Sequence, residues 1–314
     1  MKRNLKVNVI GLGYIGLPTA AILGRNGYDV FGIDTNLEIV ENINNSQFSN
    51  LEPGLDEALF ESISNGNLQA SSEYCSADVH IVCVPTPLIN DEINPTPDLS
   101  YVFDVAKSLA PHIKKGDLLI IESTITVGTT EDVRLALQRL GVDTNKIHIA
   151  HCPERVIPGN IMKELIQNDR IIGGLTGDAT DRAVDFYKTF VTGNIIKTDA
   201  RTAELCKLTE NSYRDINIAF ANELSMICDK ENINVWELIE LANRHPRVNI
   251  LLPGAGVGGH CIAVDPWFII SKNQNESEMI QTARRVNLSK TDWVLKKINT
   301  LVESKNIKDK SIDY

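Results

Sequence analysis

LKVNVIGLGYIG, residues 5–16, decides the fold of this chain. The run LKVNVI reads as a strand, and it passes without a spacer into Gly11-Leu12-Gly13-Tyr14-Ile15-Gly16. Apolar residues then recur at helical spacing from Leu17 to Arg25. In a strand-turn-helix setting the three glycines have separate tasks. Gly11 makes the tight turn, Gly13 lets backbone approach a pyrophosphate, and Gly16 lets the helix pack closely on the strand. The helix start offers N–H groups to phosphates. A second strand, YDVFGID, ends at Asp34, where a carboxylate suits the ribose 2′-hydroxyl of NAD and repels the 2′-phosphate of NADP. The competing reading, an ordinary glycine turn in an α/β protein, accounts for the turn but not for the terminal acid.

Working outward, helical segments are expected at about 36–44 and 54–64. ADVHIVCV (77–84) follows, as continuously apolar as a buried parallel strand should be. It ends in Pro85-Thr86-Pro87. Ligands in open α/β sheets sit beyond the carboxyl ends of strands, so Thr86 either touches cofactor or simply belongs to a rigid turn. The polar stretch 88–97 reads as a surface excursion, and Asp98 can cap a helix reaching about Ala110. DLLIIEST (117–124) is another strand, placing Glu122, Ser123 and Thr124 at the same edge, and a helix closed by Gly141 follows it. IHIAHCPERVIPG (147–159) supplies a further strand end with Glu154 and Arg155, which are either functional or a surface pair. Alternation of strand and helix to about residue 197 predicts a doubly wound parallel sheet.

Composition narrows the class of protein. The 314 residues suggest two domains, and 43% hydrophobic content is ample for real cores. With 41 acidic against 31 basic residues the net charge is -10, which argues against nucleic acid as a partner. The N-terminus is unlike a signal peptide and no apolar run is long enough to cross a bilayer, so a cytoplasmic protein without a membrane partner is expected. The six cysteines (75, 83, 152, 206, 228, 261) form no CxxC pair. Neither a metal site nor a disulfide framework is signalled.

From Ala200 to Asn232 there is neither Gly nor Pro, which predicts one long helix crossing between domains or subunits. Ile216, Ala219, Phe220, Leu224 and Ile227 form a stripe suited to a core or a dimer seam. Lys207 and Asn211 share a face; the lysine is either solvated or a positioned cation. A shorter helix over 234–243 ends in NRHPRVNI, where Arg244 and Arg247 flank a proline and either grip an anion or form a basic patch. GAGVGGHCIAVDPWF (254–268) follows. Four glycines before His260 and Cys261 give the backbone freedom to bring a ligand to the thiol, with Asp265 close by in sequence. The plain alternative is a buried structural cysteine in a glycine loop. A last helix is expected over about 277–302, then a polar tail.

With these blocks assembled, the chain resembles the nucleotide-sugar 6-dehydrogenases, the family of UDP-glucose and GDP-mannose dehydrogenases. The likeness runs from Val9 to about Asn287 through VIGLGYIGLP, VPTP, ESTITVGTT, HCPERVIPG, RTAELCKLTENSYRDINIAFANE, NRHPRVNI and PGAGVGGHCIAVDPWF. The resemblance implies a Rossmann-like NAD-binding domain (1–199), an all-helical central dimerisation domain carrying the cysteine loop (200–303) and a frayed tail (304–314). HCPERVIPG, NRHPRVNI and GGHCIAVDPWF are most similar to the branch acting on UDP-N-acetylmannosamine. Val264 stands where the UDP-glucose branch commonly has lysine in its CxxKD motif, which points away from UDP-glucose. Family members also carry a C-terminal UDP-binding domain, so the chain reads as a truncated form whose activity the resemblance leaves open.

The implied chemistry is two hydride transfers to NAD that turn a C6 alcohol into a carboxylate. By resemblance, Cys261 forms a thiohemiacetal and then a thioester. Lys207 and Asn211 stabilise oxyanions, Asp265 and Thr124 position water, and Glu154 is the base for hydrolysis. Gly11, Gly13, Gly16, Asp34, Thr86 and Thr124 hold NAD; Arg155, Arg244, Arg247 and His260 face the UDP-sugar, Arg247 across a homodimer built on the long helix. UDP-N-acetylglucosamine and UDP-glucose are the rival substrates. A β-hydroxyacid dehydrogenase and an inactive NAD-binding dimer are the rival functions.

Overall fold

The computed structural model describes residues 5–47, 52–89 and 95–304. In chain order the elements are β1 (Lys6–Ile10), α1 (Gly16–Arg25), β2 (Asp29–Ile33), α2 (Leu37–Asn44), α3 (Leu55–Ser64), β3 (Leu68–Ser71), β4 (Val79–Val82), β5 (Leu88–Ile89), β6 (Thr96–Pro97), α4 (Ser100–Leu109), β7 (Leu118–Ile121), α5 (Thr129–Arg139), β8 (His148–His151), α6 (Ile161–Gln167), β9 (Arg170–Gly174), α7 (Gly177–Tyr187), β10 (Ile195–Asp199), α8 (Ala200–Glu231), α9 (Val235–Ala242), α10 (Asp265–Lys272) and α11 (Glu278–Ser304). The chain divides into two compact units, 1–207 and 208–314, with the division inside α8.

The first unit is a sheet of order β10-β9-β8-β7-β4-β1-β2-β3 with helices on both faces. Alternation along β1 explains the two layers: Val7 and Val9 enter one apolar cluster with α1, α3 and α7, while Ile10 enters the other with α4 and α5. Register aligns Ile33, Ile10, Val82, Ile121 and His151 in one row. The residues that follow each strand therefore emerge along a single edge. Strand order reverses at β1, between β2 and β4, which is where an open sheet leaves a crevice.

The sheet differs from a fully parallel one at its far side. β9 runs antiparallel to β8, and β10 is parallel to β9. The connection 152–169 folds back beside β8, with the Asn168 amide donating to the Arg155 carbonyl and the Arg155 guanidinium to the Asp169 carbonyl. A return along the same edge reverses direction, whereas a crossover helix would have preserved it. The excursion at 88–97 contains a small antiparallel ribbon, β5 with β6. Asp98 does not occupy the cap position of α4, which is Leu99, but its carboxylate accepts from the Ser100 N–H at 2.9 Å.

α8 has 32 residues, about 48 Å of helix. Asp199 starts it, accepting from the N–H and hydroxyl of Thr202. Glu204, 1% exposed, turns into the sheet unit and caps α5. Its carboxylate accepts from the Gly128 N–H (2.6 Å), the Thr130 N–H (2.8 Å) and the Thr130 hydroxyl (2.6 Å). These bonds satisfy amides that a helix start leaves unpaired.

In the second unit the buried side chains of α8 include polar ones that the sequence stripe does not anticipate. Ser212, Asp215 and Asn222 are buried along with Leu208, Ala219, Ala221 and Cys228, whereas Phe220 and Ile227 are about half exposed in the single chain. Asp215 and Asn222 are matched by Arg284 and Asn287 of α11, so charge and amide pairing replace apolar contact there. The polar tail expected from residue 304 lies, beyond Ser304, outside the described residues. Among the described residues no helix is long and apolar enough to cross a membrane, and no cluster of His, Cys, Asp or Glu is arranged to hold a metal ion.

Candidate active site

In the first unit the candidate residues surround the strand-end row. Gly11 has φ +89°, and its N–H donates to the Ile33 carbonyl at 2.8 Å. A Cβ at Gly11 would lie 2.6 Å from the Cys83 carbonyl oxygen, and one at Gly16 only 1.8 Å from the Gly11 carbonyl oxygen. Both positions are closed to side chains by neighbouring backbone. Gly13 is different, because a Cβ there would meet nothing within 4 Å.

The start of α1 has no side-chain cap and no acidic residue in its first turn, leaving its positive end suited to a phosphate. Asp34 accepts from the Leu12 N–H at 2.7 Å and the Asn36 N–H at 2.9 Å. Each oxygen keeps a lone pair for ribose hydroxyls. Glycines, uncapped helix and oriented carboxylate together fit a dinucleotide. Thr86 and Thr124 are half-buried in the loops after β4 and β7.

Beyond β8, Glu154 and Lys207 form a nearly buried pair. The Lys207 ammonium lies 3.6 Å from Glu154 Oε2, with side chains 11% and 12% exposed, and Glu154 Oε1 also accepts from the Val156 N–H. His151 lies 1% exposed at the end of the same strand. Burial, aided by the positive charge of Lys207, pushes its pKa down to about 3. His151 is therefore neutral when folded and protonates near 6.5 when unfolded. Stability from this group is complete above pH 6.5 and is lost as pH falls toward 3. At pH 5 the loss should be about 2 kcal/mol. Denaturant unfolding at pH 7 and pH 5 should show this drop in the parent chain and a smaller one in His151→Gln; equal drops would refute the assignment.

Glu122, expected at the cofactor edge, points into the core instead. It is 2% exposed, accepts from the Tyr187 hydroxyl and the Cys83 thiol (3.3 Å), and lies 3.9 Å from buried Arg170. Arg170 stacks over Tyr187. Neither Arg170 nor Tyr187 announces itself in sequence, since an arginine opening an apolar run looks like a loop end. Arg155 is spent partly on the Asp169 carbonyl.

In the second unit, Asp265 opens α10 and is 3% exposed. Asn211 Nδ2 donates to its Oδ2 at 2.6 Å. The Cys261 carbonyl accepts from the Val264 (3.0 Å) and Asp265 (2.8 Å) N–H groups, placing the cysteine one turn before the helix. Cys261 is exposed, unlike buried Cys152 and Cys228, so the reading as a buried structural cysteine is not what this loop shows. His260 and Arg247 are exposed, and Arg244 makes a surface ion pair with Glu240. The sequence motif thus brings Cys261 beside Asp265 through backbone, and the fold adds Asn211 to that carboxylate.

Comparison with known proteins is consistent across both units. Residues 5–191 match the NAD-binding domain of the UDP-glucose/GDP-mannose dehydrogenase family, and residues 201–289 its central domain. A UDP-N-acetyl-D-mannosamine dehydrogenase of Campylobacter jejuni is 53% identical over 97% of this chain and 75% of its own length. An NDP-N-acetyl-D-galactosaminuronic acid dehydrogenase of Ralstonia nicotianae is 50% identical over 93% of this chain and 70% of its own. Among solved structures, a UDP-D-ManNAc dehydrogenase from Pyrococcus horikoshii superposes with a TM-score of 0.91 at 42% identity, covering 97% of this chain and 73% of that one.

Proposed function

Because the chain belongs to the UDP-glucose/GDP-mannose dehydrogenase family, we propose that it oxidises the C6 alcohol of UDP-N-acetylmannosamine to a carboxylate. Its class is NAD-dependent nucleotide-sugar dehydrogenase. The observation in the second unit that supports the finer reading is the buried Asp265 carboxylate, held by Asn211 beside the turn of the exposed Cys261; in the first unit, Lys207 lies 3.6 Å from Glu154. An N-acetylated hexosamine is favoured because the relatives at 50–53% identity bear names of that substrate class and Val264 replaces the lysine of the CxxKD motif.

NAD, when bound, would supply the hydride acceptor, a fresh molecule for each of the two oxidations. The glycine turn (Gly11, Gly13, Gly16) and the start of α1 would hold the pyrophosphate and Asp34 the ribose, with Thr86 and Thr124 as further NAD contacts. In the first oxidation C6 would lose its hydride to NAD and its hydroxyl proton to the water positioned by Asp265 and Thr124, giving an aldehyde. The Cys261 sulfur adds to this carbon, forming a C–S bond and a hemithioacetal oxygen. Lys207 and Asn211 stabilise charge on that oxygen as preorganised donors. Loss of a second hydride leaves a thioester, a reasonable course for a thiolate nucleophile. Glu154 takes a proton from the water that breaks the C–S bond, and Asp265 and Thr124 position water for proton transfer. Per sugar, one water is consumed and two NADH are formed.

The same reading gives a cytoplasmic homodimer that supplies surface-polysaccharide precursors. Tyr213, Phe220 and Ile227, exposed at seven-residue spacing on α8, suit a helix seam. Arg155, Arg244, Arg247 and His260 would then face the UDP-sugar, Arg247 from the partner subunit.

NADH counted against sugar consumed tests this directly. Two NADH per UDP-N-acetylmannosamine, with slower turnover of UDP-N-acetylglucosamine and UDP-glucose, is the expected result. One NADH per substrate would favour a single-step hydroxyacid dehydrogenase. Calorimetric binding of NAD without any UDP-sugar would leave an inactive NAD-binding dimer.

A further inference from the structure

The glycine loop that carries Cys261 is fastened from below by a buried polar chain within the second unit. Asn222 is 0% exposed, and its Oδ1 accepts from the Gly254 N–H at 2.8 Å. Its Nδ2 donates to Asn287 Oδ1 at 2.8 Å. Asn287, 1% exposed, donates in turn to Asp215 Oδ1 (2.8 Å) and to the Asp215 carbonyl (3.1 Å). Arg284 Nη1 completes the series on Asp215 Oδ1 at 2.6 Å. Each amide thus has one orientation that satisfies both its neighbours, because reversing Asn222 would set donor against donor at Gly254.

A second fastening lies beside it. The Thr291 hydroxyl donates to the Ala255 carbonyl at 3.0 Å. Gly256 has φ +143°, and a Cβ there would sit 2.3 Å from that hydroxyl oxygen. The loop lies so close to α11 that a side chain at residue 256 would displace Thr291, on a backbone conformation that favours glycine. At the other end, the Cys261 carbonyl is held by the start of α10. Between these fixed points a Cβ at Gly258 or Gly259 would touch nothing within 4 Å.

We propose that Asn222, oriented by Asn287 and the Asp215–Arg284 pair, is a positioning residue that fixes the Gly254–Cys261 loop and thereby the Cys261 thiol. This rests on Cys261 being the nucleophile. Buried amides are costly unless paired, and the pairing of Asn287 and Asn222 ends on the backbone of the loop at Gly254. Asn222 touches no reacting atom; it acts through Gly254. A nucleophile displaced by even an ångström loses much of its orientation advantage.

The test uses the full chain and two readouts. Hydrogen exchange of peptides covering 254–261 should speed up at least about tenfold in Asn222→Ala. kcat for acid formation from UDP-N-acetylmannosamine should fall by about ten- to a hundredfold, with NAD affinity unchanged. Should Asn222→Ala fail to fold, Thr291→Val, at an exposed position, removes the second fastening and should give smaller changes in the same directions. Unchanged exchange in the loop overturns the proposal. So does faster exchange with unchanged kcat in a folded variant, which would mark a role in stability alone. If Cys261→Ser retains acid formation, the nucleophile reading fails, while loop exchange still judges the fastening.

Discussion

Replacing Cys261 with Ser is expected to lower acid formation by at least on the order of 10³-fold, as loss of a covalent nucleophile commonly does. Serine keeps the size and the backbone turn into α10 but is far less nucleophilic at neutral pH. NAD affinity should be unaffected, since the glycine turn and Asp34 belong to the sheet unit. Quenched-flow counting of NADH and of carboxylate product separates the outcomes. A first hydride transfer that survives while product acid disappears supports thioester formation on this sulfur. Acid made at the parent rate would remove Cys261 from the chemistry.

Gly16→Ala should be the most damaging single methyl in the sheet unit. Its Cβ would lie 1.8 Å from the Gly11 carbonyl oxygen and 3.1 Å from Cys83 Cβ, so α1 must shift off β1. Overpacking against backbone should cost about 3 kcal/mol or more, with NAD binding lost as the turn opens. Gly13→Ala is the matching control. With nothing within 4 Å of its new methyl, stability should stay within about 0.5 kcal/mol of the parent while NAD affinity drops, because the methyl occupies space for the pyrophosphate. Denaturant unfolding and NAD titration of both variants check the contrast. Equal stability of Gly16→Ala and the parent would mean the close approach of α1 to β1 is not what fixes this glycine.

These expectations show which parts of the molecule are legible in one dimension. The strand-turn-helix at residues 5–25 could be read because glycine requirements are local and strand, turn and helix adjoin. The exposed cysteine turn and Asp265 are likewise neighbours in sequence, so their proximity could be anticipated. Direction of β9 could not, because it depends on how the 152–169 connection folds back, not on the composition of RIIGG. The buried face of α8 was also hidden. Hydrophobic periodicity marks apolar faces, and this one also carries Asp215 and Asn222, whose burial is compensated by Arg284 and Asn287. Glu122 misled for the same reason: a carboxylate at a strand end looks solvent-facing until Tyr187 and Arg170 are known to cover it.

Glu204 carries a practical lesson about where the sheet unit may be divided from the rest. The family resemblance implies a boundary at 199/200, and the carboxylate that completes α5 lies five positions into the following helix. Excision at 199 would strip the amides of Gly128 and Thr130 of their acceptor and leave the loop after β7 loosely tethered. That loop holds Thr124. A minimal NAD-binding fragment that keeps the opening turns of α8 is therefore expected to unfold at higher denaturant than one ending at 199, and equal midpoints would show that the Glu204 bonds are dispensable.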